Sequence, residues 1–392
     1  MPAEESHPLD PVTLTRELVR IPSVTPDEGA AIGHVAAVLA EAGFACHRAD
    51  RGGVANLVAI AGDPAAGPVF GFNGHVDVVP PGDAALWRFP PFSGEIAEGK
   101  LWGRGAADMK SGVAAFAAAA ARFLAEGRLE KGAIVVTVTG DEEGDADHGT
   151  RAILDWMRAK DLEMDHCLVG EPTCPQVMGE MMKVGRRGSV TVDFTARGVQ
   201  GHSAYPQRAR NPVHALVALL ARLANTPLDD GTAHFEPSTL VITTFDVGNP
   251  AANVIPAEAR ARVNIRFNDL HTGAGLIERL RAVAAEVEAG TGVEIEVTGR
   301  VSGEAFLTEP GPFPELVASA VEAETGRRPE ASTSGGTSDA RFIREMCPVV
   351  EFGIVGSTMH KTDEHVAVAD IRSLERIYHR ILESYFAAPP PG

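Results

Sequence analysis

Short apolar runs and longer helical patterns alternate along the first half of the chain. Runs of strand length occupy 56–61, 69–73, 133–139 and 166–169. Apolar positions with helical spacing occupy 14–20, 30–42, 113–124 and 149–160. The run AIVVTVT at 133–139 has no polar face and predicts a strand that is buried on both sides. Strands that alternate with helices predict an open α/β sheet.

The pattern changes between 188 and 301. Strands are predicted at 189–196, 240–244, 259–267 and 293–297, and helices at 211–225 and 275–289. Their order, β-α-β-β-α-β, is the ferredoxin-like pattern of a small α+β domain. After 302, core-type patterns return: helices at 314–326 and 371–387 and a strand at 349–353. We therefore predict one domain formed by 1–187 and 302–392, with a second domain, 188–301, inserted into it.

Charge and cysteine content narrow the classes of function. The net charge of −18 argues against binding to nucleic acid, which needs a basic face, and against an anionic membrane surface. The acidic segment 1–6 lacks the apolar core of a signal peptide, and the longest apolar stretch is too short to cross a bilayer. The four cysteines are scattered without a C-x-x-C pair, as expected for reduced thiols in a cytoplasmic protein.

Histidine and acidic side chains follow four of the predicted strands, at the point where each strand ends. They are His75 with Asp77, Glu142 with Glu143, Glu171, and His360. Asp108 lies in a glycine-flanked loop before the Ala-rich helix at 113–124. Taken singly, such residues are more often hydrogen-bonded strand ends, solvated turns or helix caps. Because strand carboxyl ends meet at one edge of an open α/β sheet, we expect these side chains to lie together.

Imidazole and carboxylate ligands together predict a zinc site, with cobalt or manganese as substitutes. The candidate ligands are His75, Asp108, Glu143, Glu171 and His360. Five ligands serve two ions only if one ligand is shared, and Asp108 is the candidate bridge between ions roughly 3.5–4 Å apart. Asp77 is expected to orient the His75 ring. Glu142 is the candidate general base, which takes a proton from the attacking water and passes it to the leaving nitrogen.

Several segments resemble a dinuclear-zinc metallopeptidase and amidohydrolase family that contains carboxypeptidases, aminoacylases and other N-acyl amino acid hydrolases. The segments are FNGHVDVVP (72–80), LWGRGAADMKSG (101–112), TGDEEG (139–144) and VGEPT (169–173). Three more resemble the branch that removes the succinyl group from N-succinyl-LL-2,6-diaminopimelate: GVQGHSAYPQRARNP (198–212), SGGTSDARFI (334–343) and EFGIVGSTMHKTDEHVAVADI (351–371). The resemblance implies a mixed-sheet, zinc-exopeptidase-like catalytic domain with an inserted dimerisation lid, and a homodimer.

The resemblance also implies a role for each site residue. His75, Asp108 and Glu171 would bind one Zn²⁺, and Asp108, Glu143 and His360 the other, with Glu142 as the base. His202 resembles the lid histidine that enters the partner's active site and stabilises the oxyanion. Without the resemblance, His202 would be an exposed turn residue.

The implied substrate carries three carboxylates and needs a local cationic pocket in this acidic protein. The segment 183–187, with a lysine and two arginines, offers one. The residues expected to bind the substrate are Arg186, Ser189, Tyr205, Asn253, Arg266, Gly336 and Thr337. For Arg266 the alternative is an exposed charge on a strand. Gly356 and Ala252 stand where relatives can have Asn, so the preference for the acyl group can differ.

The expected function is zinc-dependent hydrolysis of an amide bond in lysine and diaminopimelate biosynthesis. The nearest alternative is a relative that acts on another acyl amino acid, such as N-acetylornithine. A dinuclear aminopeptidase would need a pocket for a free α-amine, whereas the arginines near 186 favour an acyl carboxylate. A metal-free binding protein on the same fold would be expected to have lost a ligand or the base.

Overall fold

The computed structural model of the chain describes residues 9–26 and 29–388. The acidic segment at 1–6 lies outside these ranges. The described α-helices are α1 (Pro11–Val19), α2 (Ala30–Glu41), α3 (Ser111–Ala125), α4 (Thr150–Arg158), α5 (Pro212–Ala224), α6 (Gly273–Thr291), α7 (Pro312–Thr325), α8 (Ala340–Ile343) and α9 (Val368–Ala387). In the described part of the chain, no helix is long and apolar enough to cross a membrane.

The described strands include one at each of the predicted runs. They are β1 (Ala45–Arg48), β2 (Asn56–Asp63), β3 (Val69–His75), β4 (Glu95–Ala97), β5 (Lys100–Trp102), β6 (Gly132–Thr139), β7 (His166–Val169), β8 (Met181–Lys183), β9 (Gly185–Arg186), β10 (Gly188–Arg197), β11 (Gly201–His202), β12 (Thr239–Asp246), β13 (Val254–Ile255), β14 (Glu258–Phe267), β15 (Glu294–Gly303), β16 (Phe306–Leu307), β17 (Glu330–Ser332), β18 (Val349–Glu351) and β19 (His365–Ala367). The unpredicted strands have two to four residues, too few to show an alternating pattern.

The chain divides into two compact units. The first comprises the chain up to Val184, Thr308–Ser332 and the chain from Ser338 onward, and the second comprises Gly185–Leu307 and Thr333–Thr337. The second unit is therefore interleaved with the first, and its short piece 333–337 comes from a loop far along the chain.

An eight-stranded mixed sheet forms the centre of the first unit, in the order β1-β2-β6-β3-β7-β18-β8-β17. Its middle strands β6, β3, β7 and β18 are parallel. As predicted, β6 is buried at every position. The register pairs His75 with Thr139 and Asn73 with Val169, so the carboxyl ends of β3, β6 and β7 lie side by side.

Helix α3 packs against α1 and α9, and most of its residues are buried. Its alanines are small enough to let the helix come close to its neighbours. The ring of Phe116 stacks on that of Phe72 in β3, with the centroids 4.1 Å apart. This packing fixes the segment that precedes α3, and Asp108 with it, relative to the end of β3.

The second unit has the predicted ferredoxin-like order. Its antiparallel sheet is β12-β14-β10-β15, and α5 and α6 pack against it. Strand β14 alternates between buried and more exposed positions, as a strand with one face in the core should. The edge strand β12 is instead exposed along nearly its whole length.

The region 80–105, which lies between the predicted elements at 69–73 and 113–124, contains regular structure. A 3₁₀ turn (Ala84–Leu86) is followed by the hairpin of β4 and β5. Strand β5 also pairs with β19, where Trp102 lies opposite His365. This pairing brings the segment after β5, which leads to Asp108, beside the segment that contains His360.

Candidate metal centre

His75 is the last residue of β3, and its side chain is almost fully buried. Its ring Nδ1 lies 2.9 Å from the backbone carbonyl oxygen of Asp77, which can only accept a hydrogen bond. In the neutral ring the proton therefore lies on Nδ1. The Nε2 atom is 3.2 Å from Asp108 Oδ1 and 3.8 Å from Glu171 Oε1. With the proton on Nδ1, Nε2 can bind a metal ion, as in other histidines that bind metal through Nε2.

The two carboxylate oxygens of Asp108 face two different histidines. Oδ1 lies 3.2 Å from Nε2 of His75, and Oδ2 lies 3.2 Å from Nε2 of His360. The backbone angles of Asp108 and Met109 are not helical, so Asp108 stands outside the helix that begins at Ser111. A carboxylate with an imidazole nitrogen on each side could bridge two metal ions.

His360 lies between β18 and β19, and about half of its side chain is exposed. Its Nε2 is 2.9 Å from Oε1 of Glu143, which follows β6. Glu171 is the second residue after β7 and is buried. The polar residues at three neighbouring strand ends and in two loops thus come together, as the sequence predicted. Two groups match the predicted ligand sets, with ligand atoms within 4.8 Å of one another: His75 with Asp108 and Glu171, and Asp108 with Glu143 and His360. A further group at the site, His75 with Glu142 and Glu143, meets the same distance and overlaps both.

Asp77 contacts both the His75 ring and the turn after β6. The His75 ring is hydrogen-bonded to the backbone oxygen of Asp77, and the carboxylate Oδ1 is farther away, at 3.6 Å from Nδ1. The buried carboxylate instead accepts the backbone N–H groups of Glu142 and Glu143, at 3.2 and 3.1 Å. Asp77 therefore joins the end of β3 to the turn after β6. Burial raises the pKa of Asp77 to about 6.

Burial and the crowding of acidic groups change the proton affinity of the site. Burial raises the pKa of Glu142 to about 8. Burial, and then the negative charge of Asp108, raise the pKa of Glu171 well above its usual range. Hydrogen bonds to Asp108 and Glu143 raise the pKa of His360 to about 10. The site therefore favours positive charge, as protons or as bound cations.

The expected substrate residues of the second unit form two local groups. In the first, Ser189 and Arg266 are direct neighbours across β10 and β14. Arg186 is largely buried and donates from Nη1 to the backbone oxygen of Gly336 at 3.2 Å. Thr337 follows directly and is half-buried. The residues of this first group thus lie on four parts of the unit: β9, β10, β14 and the piece 333–337.

The second group surrounds His202 in β11, which is exposed. Its ring lies 5.8 Å from that of Tyr205, and its Nδ1 accepts the backbone N–H of Ala204 at 3.0 Å. Asn253 is exposed, and its backbone carbonyl oxygen accepts the N–H of Ser203. His202, Tyr205 and Asn253 are therefore neighbours at the short β11–β13 pair, and the local hydrogen bond of the histidine uses Nδ1.

The sequence analysis did not identify three buried charged residues beside the site. Lys110 donates from Nζ to the carbonyl oxygens of Leu18 and Ile21, both at 2.9 Å, and so attaches the Asp108 segment to the end of α1. Arg104 and Glu364 form a buried ion pair at 2.6 Å. A buried lysine or arginine needs a partner, but a sequence does not show which residue supplies it.

Another set of acidic and histidine side chains occurs away from this site, at Glu126, His379 and Glu383. Arg128 already pairs with both glutamates, at 2.7 and 2.8 Å, and Arg122 also pairs with Glu126. The set is thus explained as a network of ion pairs between α3 and α9.

The mixed sheet, the inserted ferredoxin-like unit and the paired acid–histidine groups define a hydrolase of the metallopeptidase class. The model of peptidase family M20/M25/M40 matches residues 71–384, and the chain belongs to this family. The chain is 64% identical over 379 residues to the succinyl-diaminopimelate desuccinylase of Cereibacter sphaeroides, with 97% of this chain and 100% of the relative covered. The predicted family and enzyme class are confirmed.

Solved structures support the fold. An M20 family metallo-carboxypeptidase from Sulfolobus solfataricus superposes with a TM-score of 0.78 at 15% identity, covering 96% of this chain and 99% of its own. A Bacillus subtilis protein described as a dinuclear metal-binding peptidase of the M20 family has a TM-score of 0.72 at 16% identity, covering 96% and 98%. At these identities the likeness establishes the fold, and it confirms the predicted fold class.

Proposed function

We propose that the protein hydrolyses the amide bond of N-succinyl-LL-2,6-diaminopimelate to succinate and LL-2,6-diaminopimelate, a step of lysine and diaminopimelate biosynthesis. The observation that carries the proposal is Asp108, whose two oxygens each face a histidine in a buried site. The 64% identity to a desuccinylase over nearly the whole chain supports this choice of substrate.

Two metal ions fit the side chains of this site. Imidazole nitrogens and carboxylate oxygens are the ligands that Zn²⁺ prefers, and Co²⁺ accepts the same set. His75, Asp108 and Glu171 would hold one ion, and Asp108, Glu143 and His360 the other. The fit rests on the close approach of the ligand atoms and on the raised proton affinity of His360 and Glu171. Bound divalent ions would polarise the substrate carbonyl and lower the pKa of the attacking water.

Glu142 is the proposed general base. Its carboxylate lies 4.0 Å from Nε2 of His75, whereas the neighbouring Glu143 contacts His360. It would take the proton of the attacking water and pass it to the leaving amine nitrogen. Asp77 holds the backbone of the Glu142–Glu143 turn and so fixes the direction of both side chains. His202 would donate a hydrogen bond to the developing oxyanion.

Arg186 and Arg266 are the proposed anchors of the substrate carboxylates, because a guanidinium can bind a carboxylate through two parallel hydrogen bonds. Ser189, Thr337 and the backbone of Gly336 would supply neutral contacts in the same pocket, and Tyr205 and Asn253 would contact the substrate beside His202. The hydrogen bond from Arg186 to the backbone oxygen of Gly336 supports the assignment of these two residues to one pocket.

A homodimer is part of the same proposal. The edge strand β12 has several exposed apolar side chains, with Val241 56%, Ile242 39% and Phe245 38% exposed. An exposed apolar edge strand favours pairing with another strand, and two copies of β12 can pair about a two-fold axis. We also propose a cytoplasmic location, because all four cysteines are free.

The test is steady-state hydrolysis of N-succinyl-LL-2,6-diaminopimelate and of N-acetylornithine by Zn²⁺-loaded protein, with a chelator-treated control. We expect a strong preference for the succinyl substrate that the chelator abolishes. Chelator-sensitive activity on the acetyl substrate alone would reject the proposed substrate and point to Gly356 and Ala252. Activity that survives complete removal of metal would reject the proposed metal centre.

A further inference from the structure

Glu364 connects the segment that carries Asp108 to the segment that carries His360. Its Oε1 accepts the backbone N–H groups of Ala107 at 2.8 Å and Asp108 at 3.2 Å. Its Oε2 accepts a hydrogen bond from Arg104 at 2.6 Å. Both oxygens of this one side chain are therefore bound to the 104–108 segment, although Glu364 itself lies only four residues after His360.

Arg104 closes the connection from the other side. Its Nη1 also donates to the backbone oxygen of Lys361, the residue directly after His360, at 3.3 Å. The backbone supports the same contact, because the N–H of Gly103 donates to the carbonyl oxygen of Glu364 at 2.9 Å. Side-chain and backbone hydrogen bonds thus join the segment 103–108 to the segment 361–364.

The pair contributes geometry rather than net charge. Glu364 is fully buried and Arg104 is 3% exposed, so the contact is shielded from water. The negative and positive charges offset each other, and hydrogen bonds of this charged type are stronger than neutral ones. Removing one partner would leave the other charge unpaired in the interior. The pair therefore fixes a distance, namely that between the Asp108 carboxylate and the His360 ring.

The other proposed ligands are held differently. His75 ends β3, and Glu171 follows β7, so the central sheet positions both. Among the proposed ligands of the first ion (His75, Asp108 and Glu171), only Asp108 is hydrogen-bonded to Glu364, through its backbone N–H. Among the proposed ligands of the second ion, both Asp108 and His360 lie on segments that Glu364 joins. The third, Glu143, is held by a hydrogen bond from its backbone N–H to Asp77.

We propose that Glu364 is a positioning residue that selectively supports the metal ion bound by Asp108, Glu143 and His360. The inference rests on the proposed metal centre. It assigns to Glu364 a preferential effect on one of two ions, which a general contribution to stability would not produce.

The experiment is a titration of metal-free Glu364→Gln protein with Co²⁺ alone. Visible absorption follows each binding step, and elemental analysis after gel filtration gives the bound metal per chain. We expect one ion to bind roughly 10–100-fold more weakly than in the parent protein, the usual cost of removing a partner that orients a metal ligand. The other ion should bind as in the parent.

The matched control is Glu375→Gln. Glu375 is also buried and paired with an arginine, Arg122, at 3.7 Å, but it lies on α9 and touches no proposed ligand. This variant should bind both ions as the parent does. If Glu364→Gln does not fold, Glu364→Asp and Arg104→Lys replace it, because they keep the charges but shift the contact. In both variants we expect weaker binding of the same single ion.

The outcomes separate the two proposals. If the parent protein binds no Co²⁺, the metal centre itself is rejected. If the parent binds two ions and the Glu364 variants bind both with unchanged affinity, only the role of Glu364 is rejected. Equal weakening of both ions also rejects it, because the contact would then be a general support of the fold.

Discussion

Asp77 accepts the backbone N–H of Glu142 through Oδ1 at 3.2 Å. Its other oxygen accepts the next N–H, that of Glu143, so a single buried carboxylate holds two consecutive residues of the turn. The side chain of Glu143 then reaches His360 at 2.9 Å, whereas that of Glu142 lies nearer to His75. Two adjacent glutamates thus have different neighbours, and different roles can be tested by changing each one alone.

We predict that Glu142→Gln keeps both metal ions and the fold but loses turnover by about 10²–10⁴-fold, the usual contribution of a general base. The amide has nearly the same shape and cannot accept the proton of the attacking water. The measurements are kcat, metal content by elemental analysis and the midpoint of thermal unfolding.

Glu143→Gln is the matched control for that variant. Because Glu143 is a proposed ligand, this change should lower the metal content as well as the activity. A metal-loaded Glu142→Gln protein with parental kcat would contradict the assignment of the base. Loss of metal from both variants alike would mean that the two glutamates do not differ in role.

Metal binding should release protons. The pKa of His360 is raised to about 10 in the metal-free protein, chiefly by hydrogen bonds to Asp108 and Glu143. The ring therefore carries a proton at pH 7, and an ion that binds through Nε2 must displace it. Affinity should rise with pH up to about 10, by as much as tenfold per pH unit for each proton displaced.

Calorimetric titration with Zn²⁺ in buffers of different ionisation enthalpy measures this proton release. The heat should depend on the buffer, and the dependence should shrink in a His360→Asn variant that still binds the first ion. An identical heat in all buffers would show that no proton is displaced, against the prediction.

Gly112 lies where the start of α3 approaches the loop before Glu171. A Cβ at this position would lie 2.4 Å from the backbone oxygen of Gly170. Gly112→Ala should therefore push the Asp108 and Glu171 segments apart, with an expected cost of about 1–3 kcal/mol in the free energy of unfolding. We also expect weaker binding of the ion shared by His75, Asp108 and Glu171.

Gly33→Ala is the control for a helical glycine with open space. Among the described residues, no atom lies within 4 Å of a Cβ at Gly33 in α2. This change should raise the free energy of unfolding by roughly 0.5–1 kcal/mol, because alanine favours the helix. Chemical denaturation of both variants, with Co²⁺ titration of Gly112→Ala, checks the pair. Equal effects on stability would contradict the close approach of Gly112 to Gly170.

The sequence allowed the strand-end residues to be predicted because their chemistry follows from local order. His75, Glu143 and Glu171 lie within a few residues of the ends of apolar runs, and parallel strands bring such ends together. Asp108 could be found because glycines flank it and a helix follows. The ferredoxin-like order was also readable, since its strands and helices are long enough to show their periodicity.

The contacts that hold these residues were not predictable in the same way. Glu364 binds the backbone of Ala107 across 257 positions of sequence, and Arg186 meets Gly336 across 150. No local pattern marks such partners, because an apolar or charged residue can be buried by any segment that the fold brings near it. The short strands β4, β5 and β19 bring Glu364 to this contact. Each has three residues, too few to show periodicity.

The proposed dimer predicts that a charge on the exposed edge strand separates the subunits. Val241→Asp places a carboxylate on β12 at a side chain that is 56% exposed. Burying this charge in a paired edge would be costly, so the variant should be monomeric by sedimentation equilibrium and remain folded. Val217→Asp, at a similarly exposed position on α5 (54%), should leave the mass unchanged. A dimeric Val241→Asp protein would exclude β12 from the interface.

The final prediction tests whether His202 acts in the active site of the partner subunit. His202→Ala and Glu142→Gln should each have very low activity as pure proteins, with metal content retained. If His202 acts across the dimer, a mixed dimer has one complete site, formed by Glu142 of one chain and His202 of the other.

Unfolding and refolding an equal mixture of the two variants should pair them at random. Half of the dimers would then be mixed, and because each has one complete site out of two, the mixture should recover about a quarter of the parental activity. If His202 acts within its own chain, every site lacks one group and no activity returns. Recovery in the mixture, absent from each variant refolded alone, thus requires both the dimer and a histidine that acts across it.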